Sequence, residues 1–197
     1  MATSHSDRVT RYFEASRDAI TAALTDRVFV DAVSHTAEIV TDALRAGKKI
    51  LLAGNGGSAA DAQHLATELM VRFYLDRAPL PALALGTDAS AATAIGNDLG
   101  FEQLFSRQVL ALGQPGDVFV GLSTSGRSRN ILAACKACRE RGLIAIGFTG
   151  ATGGALGEVC DLLVRVPSQD TPLIQQVHVV AGHIICEIAE EALAKRA

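Results

Sequence analysis

Val118-Phe119-Val120-Gly121-Leu122-Ser123-Thr124-Ser125-Gly126-Arg127-Ser128 passes directly from an apolar run into a hydroxyl-rich turn, and a helical pattern begins within that turn. A short apolar run closed by turn residues predicts a strand covered on both faces, as in a parallel sheet. Four more runs of this kind flank it, at residues 50–53, 82–85, 144–148 and 162–166. Helix-like segments alternate with them at 58–73, near 89–95, and at 101–112, 127–141 and 171–195, with a short turn near Gly153. Strands that alternate with helices predict an α/β fold built on a doubly wound, five-stranded parallel sheet.

Two helical stretches precede the sheet, at 3–23 and 28–46, and the second sets Val33, Ala37, Val40 and Leu44 at the helical period. Residues 1–46 are therefore expected to form an N-terminal helix pair, and 47–197 the α/β sandwich of a single domain. The chain of 197 residues is long enough to bury one core. Hydrophobic residues make up 49% and charged residues 20%, so some apolar surface is expected to be hidden between subunits. The net charge of −3, with no Lys/Arg block, argues against a nucleic-acid or membrane-surface partner. Residues 1–18 are polar and no uninterrupted apolar run approaches the roughly 18 residues of a membrane span, which predicts a cytoplasmic protein. Cys135-Lys136-Ala137-Cys138 is a lone CxxC pair in a helical pattern, expected to be reduced thiols rather than a zinc knuckle.

An open parallel sheet binds ligands beyond the carboxyl ends of its strands, so the turns after Ala53, Leu85, Leu122 and Phe148 are the places to look. Ser123, Thr124, Ser125 and Ser128 bring four hydroxyls to a helix N-terminus, where free backbone N–H groups and the helix dipole favour an anion. A single hydroxyl would suffice to cap the helix, so the excess points to a phosphate, and Gly126 is expected to let the backbone approach it closely. Gly54-Asn55-Gly56-Gly57-Ser58 forms a second strand-to-helix turn. It is neither GxGxxG nor GxxxxGK[ST], which disfavours a nucleotide.

His64 and Glu68, four residues apart, share one helix face and could hold a metal, although such a pair is more often a surface ion pair. The last helix embeds Gln175, His178 and His183 among apolar residues, where polar groups are either satisfied core residues or ligands. Spacing alone would pair Gln175 with His178. Gln175 and His183 lie about 12 Å apart along a straight helix, so they would share an ion only by reaching toward it from opposite sides or with a second subunit's help.

Taken in order, the Gly54–Ser58 turn, the Asp61/His64/Glu68 helix, Gly96-Asn97-Asp98, the serine turn, and Ile174-Gln175-Gln176-Val177-His178 through His183 resemble the phosphoheptose isomerases over nearly the whole chain. The resemblance implies the flavodoxin-like SIS fold, a homotetramer, and conversion of sedoheptulose 7-phosphate to D-glycero-D-manno-heptose 7-phosphate through an enediol, for bacterial lipopolysaccharide. It implies one zinc per subunit on His64, Glu68, Gln175 and His183, with Glu68 and His183 as the acid/base pair. It places substrate against Asn55, Gly56, Gly57, Glu68, Asn97, Asp98, Ser123, Thr124, Ser125, Ser128 and Gln175. A similar non-catalytic tetramer, the partner of the DnaA replication initiator, is the alternative, but it is expected to lack the glutamate and second histidine present here as Glu68 and His183. Leu173 and Gln176 stand where the resembled enzymes often carry arginine and glutamate.

Overall fold

The computed structural model describes residues 4–194. Helix α1 (His5–Thr25) opens with a reciprocal cap, in which Ser4 Oγ accepts from Asp7 N at 3.1 Å and Asp7 Oδ2 accepts from Ser4 N at 3.2 Å. One residue then serves two helices. The Asp26 N–H closes α1 on the Ala22 and Ala23 carbonyls, and its carboxylate accepts from Val28 N and Phe29 N to start α2 (Arg27–Arg45).

Strand β1 (Ile50–Gly54), helix α3 (Gly57–Met70), strand β2 (Ala82–Ala84) and helix α4 (Ala89–Asp98) follow. A 3-10 turn (Phe101–Gln103) leads into α5 (Leu104–Leu112), then β3 (Val118–Leu122), α6 (Arg129–Arg141) and β4 (Ile144–Thr149). A second 3-10 turn (Gly154–Glu158), β5 (Leu162–Arg165) and α7 (Thr171–Leu193) complete the fold. The expected five parallel strands are all present, in the order β2-β1-β3-β4-β5. Residue 3 of the first expected helix and residue 195 of the last lie outside the described residues.

Strand alternation sorts the core onto two faces. Ile50, Leu52, Val118, Val120, Ile146 and Phe148 pack under α2, α3 and α7, whereas Leu51, Ala53, Phe119 and Ala145 pack under α5 and α6. At the amino ends of the strands, buried Asp117 accepts from Lys49 N at 3.0 Å and Gln114 N at 2.8 Å and pairs with the Lys49 ammonium, tying β1 to β3. Several helices differ from expectation in length: the 101–112 segment opens as the 3-10 turn and α5 starts only at Leu104, and α4 runs on to Asp98. The 58–73 segment stops at Met70 because the residues beyond it are held by side chains from elsewhere, and the 127–141 segment starts at Arg129 because the serine turn occupies Arg127 and Ser128. Helix α7 is long and apolar enough to cross a membrane by length and composition, yet here it packs against α2 and α3, with Val177, Ala181 and Ile185 in the core.

Candidate active site

In the order β2-β1-β3-β4-β5 the chain leaves β1 in one direction for β2 and lies in the other for β3, so the crevice of the fold opens between β1 and β3. Gly54 and Leu122, the last residues of those strands, are register partners. The glycine and serine turns therefore stand side by side. A pair of amides joins them: Asn55 Nδ2 donates to Asn130 Oδ1 at 3.0 Å, and Asn130 Nδ2 donates to Asn55 Oδ1 at 2.8 Å. Asn130 is buried in the first turn of α6, directly behind the serine turn.

Gly56 starts α3 with φ +57°, a left-handed conformation that a side chain disfavours. Gly57 gives Gln175 room, since a Cβ there would stand 2.7 Å from Gln175 Nε2 and push that amide aside. Gln175 also donates to Ser58 Oγ at 3.3 Å, so α7 lays its second turn on the glycine turn.

In the serine turn, Ser123 Oγ and Ser128 Oγ lie 2.8 Å apart, Ser125 Oγ accepts from Arg127 N at 3.2 Å, and Thr124 Oγ1 faces Thr171 Oγ1 at 3.4 Å. Ser128 precedes α6 without spending its side chain on the cap, which leaves hydroxyls over for a ligand. Gly126 packs against the chain's own backbone. It has φ +64°, and a Cβ there would lie 2.1 Å from the Gly153 carbonyl oxygen, so its close neighbour is the 153–154 backbone of the chain itself. Thr124, Ser125 and Arg127 line a cavity of about 300 Å³ together with Gly150, Ser168 and Thr171.

Farther along the same two helices, His64 and Glu68 of α3 meet His183 of α7. His64 Nε2 lies 2.7 Å from His183 Nε2 and 3.6 Å from Glu68 Oε1, and one ligand atom from each of the three residues falls within 4.8 Å of the others. The Phe73 ring backs His183, with centroids 5.2 Å apart. Burial lowers the His183 pKa, the His64 charge lowers it further, and Glu68 opposes both. Two neutral imidazole nitrogens face to face can share only one proton, whereas a cation between them accepts both lone pairs. Two imidazoles and a carboxylate form a donor set that suits zinc, so the residues fit a metal ion. Asp61, one turn before His64, carries a buried carboxyl oxygen without a hydrogen-bond partner among the described residues, and burial raises its pKa despite His64.

The structure does not bring every expected residue to this cluster. Gln175 sits at the glycine turn, eight residues before His183 and so about 12 Å up α7. Asn97 and Asp98 are exposed at the end of α4, where Asn97 Nδ2 donates to Asp98 Oδ1 at 2.7 Å. His178, the spacing partner of Gln175, is a core residue: it is fully buried, contacts the Thr149 carbonyl oxygen at 3.2 Å through Nε2, and has its pKa pushed down to about 4 by burial. The cysteines are free, as expected, and burial pushes Cys138 and Cys186 up to about 12. Asn130, Phe73, Arg77 and Glu190 escaped the sequence reading. Their signals were one amide after a serine turn and two charges in apolar company, none informative until the fold supplied partners.

A doubly wound sheet with hydroxyl and glycine turns flanking its crevice is the architecture of the SIS domain, and the model of that family matches residues 11–150. The chain is 51% identical to a phosphoheptose isomerase of Aneurinibacillus thermoaerophilus, over 95% of its own length and 94% of the relative's. It is 58% identical to that of Rhodospirillum rubrum, over 82% and 86% of the two chains. Among solved structures, phosphoheptose isomerases from Neisseria gonorrhoeae and Francisella tularensis superpose with TM-scores of 0.89 and 0.92 at 42% and 36% identity. The superpositions cover 95% and 96% of this chain and 100% of each of theirs. The chain belongs to the phosphoheptose isomerase family.

Proposed function

We propose that the protein converts sedoheptulose 7-phosphate to D-glycero-D-manno-heptose 7-phosphate, supplying heptose for bacterial lipopolysaccharide. The observation that carries this reading is the convergence of His64, Glu68 and His183 on α3 and α7, the two helices that also meet at the glycine turn beside the serine turn. The hydroxyl turn, Arg127 and the α6 N-terminus suit the phosphate. Asn55, Gly56, Gly57, Asn97, Asp98 and Gln175 are proposed to contact the sugar.

The isomerisation moves a proton between adjacent carbons and re-sorts protons on their oxygens. Glu68 takes the C1 proton, the C–H electron pair becomes the enediol double bond, and the carbonyl electron pair collects a proton on O2. Glu68 then returns its proton to C2. His183 carries the proton between the two oxygens, the accept-and-release task for which a positioned imidazole is suited. Zinc, proposed to be held by His64, Glu68 and His183, with Gln175 joining them only with a second subunit's help, would polarise the two substrate oxygens. The two oxygens of Glu68 allow one to ligate while the other handles the carbon proton.

Glu68→Gln keeps the shape and removes the base. Its turnover is expected to fall by about 10²-fold or more in a coupled assay with sedoheptulose 7-phosphate, and near-normal turnover by the folded variant would refute the assignment. Chelation should abolish activity and added zinc restore it, with zinc content read by elemental analysis; activity indifferent to chelation would remove the metal from the proposal. The non-catalytic reading, a tetramer that binds the DnaA initiator, is not favoured, because Glu68 and His183 meet here in one cluster. We also propose a homotetramer working in the cytoplasm, with the helix pair and the sandwich as one unit.

A further inference from the structure

Helix α3 ends in a way its own sequence does not explain. No glycine follows Met70 to turn the chain, and the carbonyls of the last turn still need donors. Arg77 supplies them: Nη2 donates to the Glu68 carbonyl at 2.9 Å, and Nη1 donates to the Leu69 carbonyl at 2.9 Å and the Ala78 carbonyl at 3.1 Å. Glu190 of α7 takes the opposite polarity. Its carboxylate accepts from Phe73 N at 2.8 Å, Tyr74 N at 2.6 Å and Leu75 N at 2.9 Å. The two side chains also pair, Arg77 Nε lying 3.0 Å from Glu190 Oε1 but off the direction of a hydrogen bond, and their side chains are only 3% and 1% exposed.

A buried ion pair loses its hydration and is often no more stabilising than an apolar pair of the same size, so fold stability is a weak reason to build one. Geometry is a better reason here. Glu190 follows His183 by seven residues, two helical turns, and therefore sits on the same face of α7. Arg77 grips the carbonyl of Glu68 itself. Glu190 grips the backbone of Phe73, whose ring backs His183. The network thus spans the residue that moves the carbon proton and the residue that moves the oxygen proton, touching the side chain of neither.

We propose that Arg77 and Glu190 are positioning residues that fix Glu68 of α3 against His183 of α7 for proton transfer. The proposal rests on the isomerase reading above. It predicts a division of labour: the sugar phosphate is anchored by turns that the network does not touch, so loosening the network costs turnover and leaves KM nearly alone. A misplacement of about 1 Å is enough to cost on the order of 10²-fold in rate.

The test uses the full-length protein with Arg77→Lys, which keeps the charge but loses the planar two-nitrogen fork that holds the Glu68 and Leu69 carbonyls, and Glu190→Gln, which keeps the shape but gives up an acceptor oxygen. Hydrogen exchange over residues 71–78 reports whether the network has opened. In a variant folded by circular dichroism and open by exchange, kcat should fall at least tenfold with KM within threefold, and zinc affinity by chelator competition should weaken about tenfold. A loosened segment with kcat within twofold of wild type overturns the proposal, as does a loss of activity that only tracks the unfolded fraction. If one variant does not fold, the other decides. Wild-type protein inactive on every sugar phosphate would mean that the isomerase reading has failed, and zinc affinity alone then decides: weakened supports the network, unchanged overturns it.

Discussion

Asn55 and Asn130 exchange both of their amide hydrogen bonds, one amide from the glycine turn and one from the helix behind the serine turn. Resemblance assigns Asn55 to the substrate, but its orientation depends on a residue 75 positions away. Asn130→Ala leaves the Asn55 amide without that partner, at a cost of about 1–3 kcal/mol for unmade hydrogen bonds. The urea midpoint should drop with the slope unchanged, and the KM for the sugar phosphate should rise as Asn55 swings free. A variant with wild-type midpoint and KM would mean that water replaces Asn130 without loss. The same scale separates the two histidines of α7: His183 reaches His64 and Glu68 of α3 and His178 is buried in the core, a distinction that depends on which face of α7 meets the sheet.

The strands and helices carry the acid limit of stability. Burial opposes the Asp117 charge, but hydrogen bonds from Lys49 and Gln114 and the Lys49 charge together hold its pKa below the ordinary 3.8. His178 is held at about 4 against an ordinary 6.5 by burial. Both shifts act in the same direction, because the unfolded chain binds the extra proton in each case. Stability is full above pH 6.5, declines from there toward 4 as the unfolded His178 protonates, and declines again below 3.8 as Asp117 is neutralised. Melting temperature against pH should show two descending limbs, His178→Gln removing the first and Asp117→Asn the second. An unaltered profile in either variant would move that limb to another group. At this scale the sequence was most readable. Apolar runs such as Val118–Leu122 have one role in a parallel sheet, so all five strands were visible along the chain, whereas their order in the sheet came only with the fold. The end of α3 was not legible, because Arg77 and Glu190 terminate it from 7 and 120 residues beyond Met70, and no local pattern encodes such partners. The packing of Gly126 was illegible for a related reason: its close neighbour is the backbone at 153–154, known only once the turns are packed.

Across the whole molecule, α1, α2 and α7 leave an apolar groove of about 330 Å³ lined by Ile20, Leu24, Val30, Val33, Val180 and Ile184. Leu24 is 74% exposed and Ile184 41%. This is the surplus apolar surface anticipated from composition, and it suits a second copy in the proposed tetramer. Ile184→Glu or Leu24→Asp should shift sedimentation toward smaller species with activity falling alongside, whereas wild-type protein that sediments as a monomer at micromolar concentration would dismiss the assembly. Asp26 sets the shape of that groove. It is the last cap of α1 and the first of α2, so no spare residue separates them, and the two helices behave as one bent lever rather than two rods on a tether. One extra residue at that corner would turn α1 by about 100° about its axis. Leu24 and Ile20 would then face away from α7, and a lengthened corner would change which surface the subunit offers its neighbours without altering a single residue of the sheet or the crevice.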